Sequence, residues 1–122
     1  MIGYVTLGTN DLEKAVSFYD QLLGTIGAGR FMDTEQFVAW SAGIDQPGIS
    51  VTKPFDGQAA TVGNGVMVAI QLDSNDKVDA FYQKAIALGA TCEGKPGPRG
   101  ELSGFYAGYF RDLDGNKLNA FH

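Results

Sequence analysis

The sequence predicts an α+β fold built from two βαβββ modules, and three observations point to it. The order strand, helix, strand, strand, strand occurs twice, on either side of a midpoint near residue 60. The 17 glycines are about twice the usual share, which implies many turns or sharply bent strands. The run Phe105-Tyr106-Ala107-Gly108-Tyr109-Phe110 is apolar on both faces, so both faces of that strand need cover.

The first module opens with an apolar run at residues 2–7, broken by Gly8 and Thr9, which reads as a strand entering a loop. Asn10 is placed to cap a helix, with Glu13 three residues on as in a capping box. Leu12, Ala15, Val16, Tyr19, Leu22 and Leu23 then recur at helical spacing until Gly24 and Gly27 end the pattern. Strands are expected at 29–33, 36–41 and 48–53, with Gly43, Asp45 and Pro47 supplying turns. The second module repeats the order with a strand at 65–72, a helix at 76–88, and strands at 91–93, 105–111 and 117–121. Residues 55–64 are the natural connector, giving a single domain over 1–122 with module 1 at about 1–57 and module 2 at about 63–122. The letters echo as well. Asn10-Asp11, Phe18-Tyr19 and Gly27-Ala28 return as Asn75-Asp76, Phe81-Tyr82 and Gly89-Ala90, with small differences in spacing.

Composition narrows the function classes. A net charge of −5 repels a phosphate backbone, so nucleic acid is not an expected partner. No apolar run reaches the eighteen or so residues of a membrane span, so no membrane association is expected either. Cys92 is the only cysteine and no charged segment followed by an apolar one opens the chain, so a reducing, cytoplasmic setting is the expectation.

Two runs carry a resemblance. Asn10-Asp11-Leu12-Glu13-Lys14-Ala15 with Phe18-Tyr19, and Arg111-Asp112-Leu113-Asp114-Gly115-Asn116-Lys117-Leu118, resemble the two signatures of the vicinal oxygen chelate superfamily. That group contains glyoxalases, extradiol dioxygenases, and bleomycin- and fosfomycin-resistance proteins. The second run is the more specific, because an Asp-Gly turn between an aromatic and an apolar strand also has a mechanical reason to exist. Leu113 stands where proline is usual. The resemblance covers nearly the whole chain and implies the glyoxalase/bleomycin-resistance/dioxygenase fold: cupped mixed sheets with helices on the convex side, a ligand against the concave side, and a homodimer.

The resemblance also implies where a divalent metal would be held, by His and Glu side chains projecting into the cup. At the four matching positions stand Tyr4, Ser50, Met67 and Asn119. All four are poor ligands for a hard or borderline ion and none carries a full negative charge at neutral pH. No cofactor is therefore expected. His122, the only histidine, is the last residue and reads as a frayed tail.

The ligand surface that the resemblance implies comprises Tyr4, Thr6, Ser50, Met67, Phe105, Tyr109 and Asn119, a mostly apolar set with a few hydroxyl and amide groups. Tyr109 matches a position that faces the ligand in fosfomycin-resistance proteins, and strand alternation puts Phe105 and Ala107 on its face. Trp40 joins the candidates as a surface for stacking a planar ligand, on a register the sequence does not fix. For each aromatic, core packing is the competing reading.

The glycine-rich segment 94–100 lacks the ending of a phosphate loop and reads as a flexible surface loop. Its implied place near the cup's mouth would let Lys95 and Arg99 attract an anionic ligand, solvated loop charges being the alternative. Cys92 has no activating neighbour in sequence. The pairs Asp11 with Glu13 and Asp112 with Asp114 are explained by helix capping and turn chemistry. No nucleophile and base pair is visible, and the phenols of Tyr4 and Tyr109 would need strong tuning to act near neutrality.

The expectation is a small-molecule binding or sequestering protein resembling the bleomycin-resistance proteins, with its metal site lost and without turnover. The alternative is a glyoxalase-like lyase or isomerase, or another enzyme of the same family. A third reading is a structural partner whose cup is filled by side chains.

Overall fold

The computed structural model describes residues 1–101 and 104–122. They form two compact units, Met1–Val62 and Gly63–His122. The first contains β1 (Tyr4–Gly8), α1 (Leu12–Gly24), β2 (Gly29–Asp33), β3 (Phe37–Ser41) and β4 (Gly48–Thr52). The second contains β5 (Val68–Gln71), α2 (Asn75–Ala87), β6 (Thr91–Pro98), β7 (Tyr106–Arg111) and β8 (Lys117–Phe121). Each unit is a four-stranded sheet, in the order β1-β4-β3-β2 or β5-β8-β7-β6. The first and last strands of each unit pair in parallel and the other pairs are antiparallel, so both sheets are mixed. The expected α+β architecture of two βαβββ modules is the observed one.

The helix starts differ from the expectation in a way that sharpens the repeat. Asp11, not Asn10, caps α1, its side chain accepting from the Lys14 amide at 3.1 Å. Asn10 instead accepts from the Ala60 amide at 2.7 Å and donates to the Ala60 carbonyl at 3.1 Å, tying the end of the unit to the helix entrance. Ser74 caps α2, accepting from the Lys77 amide at 3.2 Å. With Asp11 matched to Ser74, both helices run 13 residues, and the Phe-Tyr pair falls at the same two positions in each. The apparent spacing difference came from aligning Asn-Asp letters that do different jobs.

Each helix covers one face of its sheet. In the first unit, strand alternation puts Leu7, Val38, Trp40 and Val51 on one side, all buried, and α1 buries Ala15, Phe18, Tyr19, Leu22 and Leu23. Tyr19 and Trp40 meet at 5.8 Å between ring centres. In the second unit Phe81 of α2 meets Phe110 at 6.2 Å, with Val78, Ala85, Leu118 and Ala120 buried around them. Such burial stabilises by about 1.5–3 kcal/mol for each large apolar side chain.

A polar link accompanies the apolar one in both units. The Trp40 indole donates to Asp20 of α1 at 2.7 Å, and the Tyr106 hydroxyl donates to Asp79 of α2 at 2.6 Å. Arg30 braces the first link by donating to Asp20 at 2.9 Å, which more than any other contact holds the Asp20 carboxyl below its ordinary value. Trp40 thus belongs to the helix side of its sheet, which corrects its expected place on the ligand surface: the register Trp40↔Ile49 puts it opposite the row that faces away from α1.

The second sheet departs from expectation at three strands. The turn around Gly63 and Gly65, closed by Val66 donating to the Gly63 carbonyl at 3.2 Å, delays the start of β5 to Val68 and leaves Met67 outside it. β7 begins at Tyr106, one residue later than expected, with Phe105 just before it. β6 runs on to Pro98, so most of the expected flexible loop at 94–100 is strand. The edge position of β6 tolerates Pro96 and Pro98, which have no N–H to contribute. Its register shifts between Cys92 and Gly94 and again between Gly94 and Gly97. His122 is not frayed. Its amide and carbonyl both pair with Tyr106, at 2.9 and 3.0 Å, and its ring lies 3.0 Å from the Asn75 side chain.

The connection from β7 to β8 is longer than a two-residue hairpin. Asp112, 5% exposed, accepts from the amides of Asp114 and Asn116 at 2.9 Å each and from the Asn116 side chain at 3.0 Å. Gly115 has a φ of 93°, while among the described residues no non-glycine has positive φ, which excludes the doubly positive turn that a two-residue Asp-Gly hairpin requires. Among the described residues no helix is long and apolar enough to cross a membrane.

Two predictions follow from this packing. Gly115→Val forces a β-branched side chain into left-handed backbone and should cost about 1–3 kcal/mol, read as a lower unfolding midpoint. Asp20→Ala leaves the buried Trp40 N–H without its acceptor and should cost about 1–3 kcal/mol at neutral pH, read through the fluorescence of the single tryptophan. Because the Asp20 carboxyl is held below its ordinary 3.8, its ionic contribution is present above that pH and lost as the pH falls through the lowered value. The ionic part of the gap between parent and variant should therefore close in acid.

Candidate functional site

In both sheets the face opposite the helix carries the polar groups. In the first unit the row Thr6↔Ser50↔Ala39 lies there, with Tyr4 two residues from Thr6 on the same side. Ser50 is fully buried, its hydroxyl bonded to the Val5 carbonyl at 3.0 Å and to the Thr6 hydroxyl at 2.8 Å. Tyr4 is 52% exposed and packs edge-on against Phe37, 5.9 Å between centres. Two grooves indent this unit. One of about 730 Å³ runs beside α1 between Glu13, Asp20, Arg30 and Lys53, away from the Thr6 row. The other, of about 710 Å³, lies where Ile2, Tyr4, Phe31 and Ile44 leave apolar surface exposed.

The equivalent row of the second unit is Ala69↔Asn119↔Tyr109↔Gly94. Asn119 is 2% exposed, and its side-chain oxygen is buried without a hydrogen-bond partner among the described residues. A buried amide oxygen left unpaired costs about 1–3 kcal/mol, so this position is held at a loss to stability. Beside it the Tyr109 ring is flanked by two cations, Arg99 at 5.2 Å and Lys117 at 5.6 Å from its centre. Phe105 packs on Phe121, 5.6 Å between centres, on the same face. Met67, 41% exposed and outside β5, contributes no strand position to the row.

Tyr4, Thr6 and Ser50 are thus neighbours in the first unit, and Phe105, Tyr109 and Asn119 share one face of the second. Trp40 stands apart from both sets. Lys117 is the residue that sequence reasoning missed, although it lies two positions from Asn119 and alternation alone puts the two on one face. Cys92 is exposed and hydrogen-bonded to Tyr82, which, with burial, pushes the Tyr82 hydroxyl up to about 12.

The sequence and the fold match a known family. The family model described as the glyoxalase/bleomycin resistance protein/dioxygenase superfamily matches residues 1–120. The chain belongs to this superfamily. Among solved structures it is similar to a glyoxalase/bleomycin resistance protein from Albidiferax ferrireducens T118, with 39% identity, a TM-score of 0.89, and coverage of 100% of this chain and 98% of that one. It is also similar to a hypothetical protein from S. aureus, at 25% identity and a TM-score of 0.75, covering 99% and 91%. A lactoylglutathione lyase from Agrobacterium tumefaciens, at 21% identity, a TM-score of 0.73 and coverage of 99% and 92%, shares the fold. No curated protein matches the chain.

The superfamily's metal can be tested against the donors present. The first unit offers a phenol and a hydroxyl already committed to two partners, and the second a thioether outside its strand and a neutral amide. This set does not fit a hard or borderline divalent ion, which favours imidazole and carboxylate. Among the described residues no three His, Cys, Asp or Glu side chains converge.

Asn119→Leu removes the unpaired buried oxygen while roughly keeping volume. We expect an unfolding midpoint equal to or above the parent's. A clear drop would show that the amide supports the fold rather than a ligand.

Proposed function

We propose that this chain is a small-molecule binding or sequestering protein of the bleomycin-resistance kind that works without a resident metal. The observation that carries the reading is the Asn119 amide, buried, with its oxygen unpaired among the described residues, beside Tyr109 on the face opposite α2. It stands where the resemblance implies a metal-ligating Glu. An amide there offers a neutral acceptor and donor for a ligand's own polar groups in place of a charge for an ion. Tyr109, Phe105 and Phe121 supply apolar surface around it, the usual mixture of a small-molecule site. A homodimer belongs to the proposal, because Ile2, Phe31, Met32 and Ile44 expose apolar surface in the first unit that a second copy would cover.

The test is elemental analysis after incubation with Ni, Zn, Fe and Mn followed by dialysis, alongside the particle mass in solution. Substoichiometric metal in a particle of twice the chain mass is expected. One retained ion per chain would overturn the metal-free reading and return the protein to the lyase class. A screen of small molecules should then give saturable binding that Tyr109→Ala abolishes while the unfolding midpoint stays within a few degrees of the parent's.

A further inference from the structure

We infer that the face of the second unit's sheet opposite α2 carries an oxyanion subsite, formed by Arg99 and Lys117 around Tyr109, whose ligand is a small carboxylic or phosphoric acid. The inference rests on the binding reading above and names its ligand class.

Two cations lie near one ring here, at 5.2 and 5.6 Å from its centre. The chain has 14 acidic residues and a net charge of −5, so carboxylates are plentiful. Among the described residues Arg99 and Lys117, like Lys53, Lys84 and Lys95, form no ion pair, while Lys14, Arg30, Lys77 and Arg111 do. Glu93, on the same hairpin, is committed to Arg111. Lys117 also acts on Glu93 at longer range, but among the described residues no carboxylate bonds either cation directly, which leaves donors on both open to a ligand.

The subsite is also built rather than incidental. Arg99 is not a solvated surface arm: its Nε donates to the Ala107 carbonyl at 3.2 Å and its Nη2 to the Lys95 carbonyl. These bonds fix the guanidinium over the ring and leave Nη1 without a partner among the described residues. Gly94, paired with Tyr109 across the sheet, supplies the room. A Cβ there would lie 3.3 Å from Arg99 Nη2 and 3.4 Å from Tyr109 Cδ2, crowding both. The bulges on either side of Gly94 bend β6 at this point, and Arg99 follows at the end of the strand.

Asn119 sets the second requirement. It is the direct cross-strand partner of Tyr109, and such neighbours stand about 5 Å apart. Its unpaired oxygen asks for a donor. The ligand that answers both features is an acid whose oxyanion meets Arg99 and Lys117 and which also carries a hydroxyl or amino group to meet Asn119. Hydroxy acids and phosphorylated alcohols share this chemistry.

The experiment is calorimetric titration of the intact chain with 3-hydroxybenzoate and with its neutral amide, 3-hydroxybenzamide, at low salt, with inorganic phosphate as competitor. The acid should bind about tenfold or more tightly than the amide, as expected for a charged hydrogen bond. Arg99→Gln and Lys117→Gln should each weaken the acid by a similar factor, Lys117→Gln without lowering the unfolding midpoint, and Arg99→Lys should restore part of the loss. Asn119→Leu should weaken 3-hydroxybenzoate but leave benzoate unchanged. If acid and amide bind equally and both depend on Asn119, the oxyanion subsite is wrong and the binding reading stands. If neither compound binds, phosphate included, and a wider screen also gives no saturable ligand, both fall. Displacement by phosphate at lower concentration than benzoate assigns the phosphoryl head group, and the reverse order assigns the carboxylate.

Discussion

A four-stranded sheet with side chains alternating between its faces can be stabilised on one face by a single helix, and this one-sided cover is the constraint from which the rest of both units follows. Every second residue of β3 and β4, and of β7 and β8, is drawn into an apolar layer under α1 or α2. The residues between them are released from that duty. In the first unit they are Tyr4, Thr6, Ser50 and Ala39, and in the second Ala69, Tyr109 and Asn119. Chemistry can be placed on these positions because the core does not need them.

The two units fasten helix to sheet by the same physical device with different letters. An aromatic side chain whose body is apolar and whose edge is a donor reaches a helix carboxylate: Trp40 to Asp20, and Tyr106 to Asp79. The link fixes rotation of the helix about its axis, which apolar packing alone leaves soft. In the first unit Arg30 adds charge to the link, and in the second Asp79 instead raises the Tyr106 hydroxyl's pKa. Strands held this firmly keep the opposite face in register.

What distinguishes the site is where the structure accepts a cost. A buried amide oxygen without a partner among the described residues is unfavourable for the isolated fold, and beside it stand two cations that no carboxylate of the described residues bonds directly. They occur on the same row of the same sheet. Ser50, at the corresponding position of the first unit, is fully satisfied by Val5 and Thr6. The two units are alike in topology and unlike in what the rows opposite their helices ask of a ligand. Membership of a superfamily with many activities does not choose among them; this difference between rows is what bears on function.

The sequence alone determined the repeated βαβββ order, the helices and the faces of most strands, because these follow from local periodicity and from caps and turns a few residues long. It also determined that Tyr4, Ser50, Met67 and Asn119 stand at the metal positions that the resemblance implies, since that needs only residue identity. Tertiary structure decided what depended on pairing between distant strands. Trp40 went to the helix side because its register with Ile49 fixes the parity of β3, which no local pattern reveals. The glycine- and proline-rich segment became strand because β7 offered it a partner at an edge that tolerates missing donors. His122 was tied down by Tyr106, sixteen residues earlier. The cluster of Arg99, Tyr109, Lys117 and Asn119 likewise exists only once β6, β7 and β8 lie side by side, for charge and hydrogen bonding act through space and not along the chain.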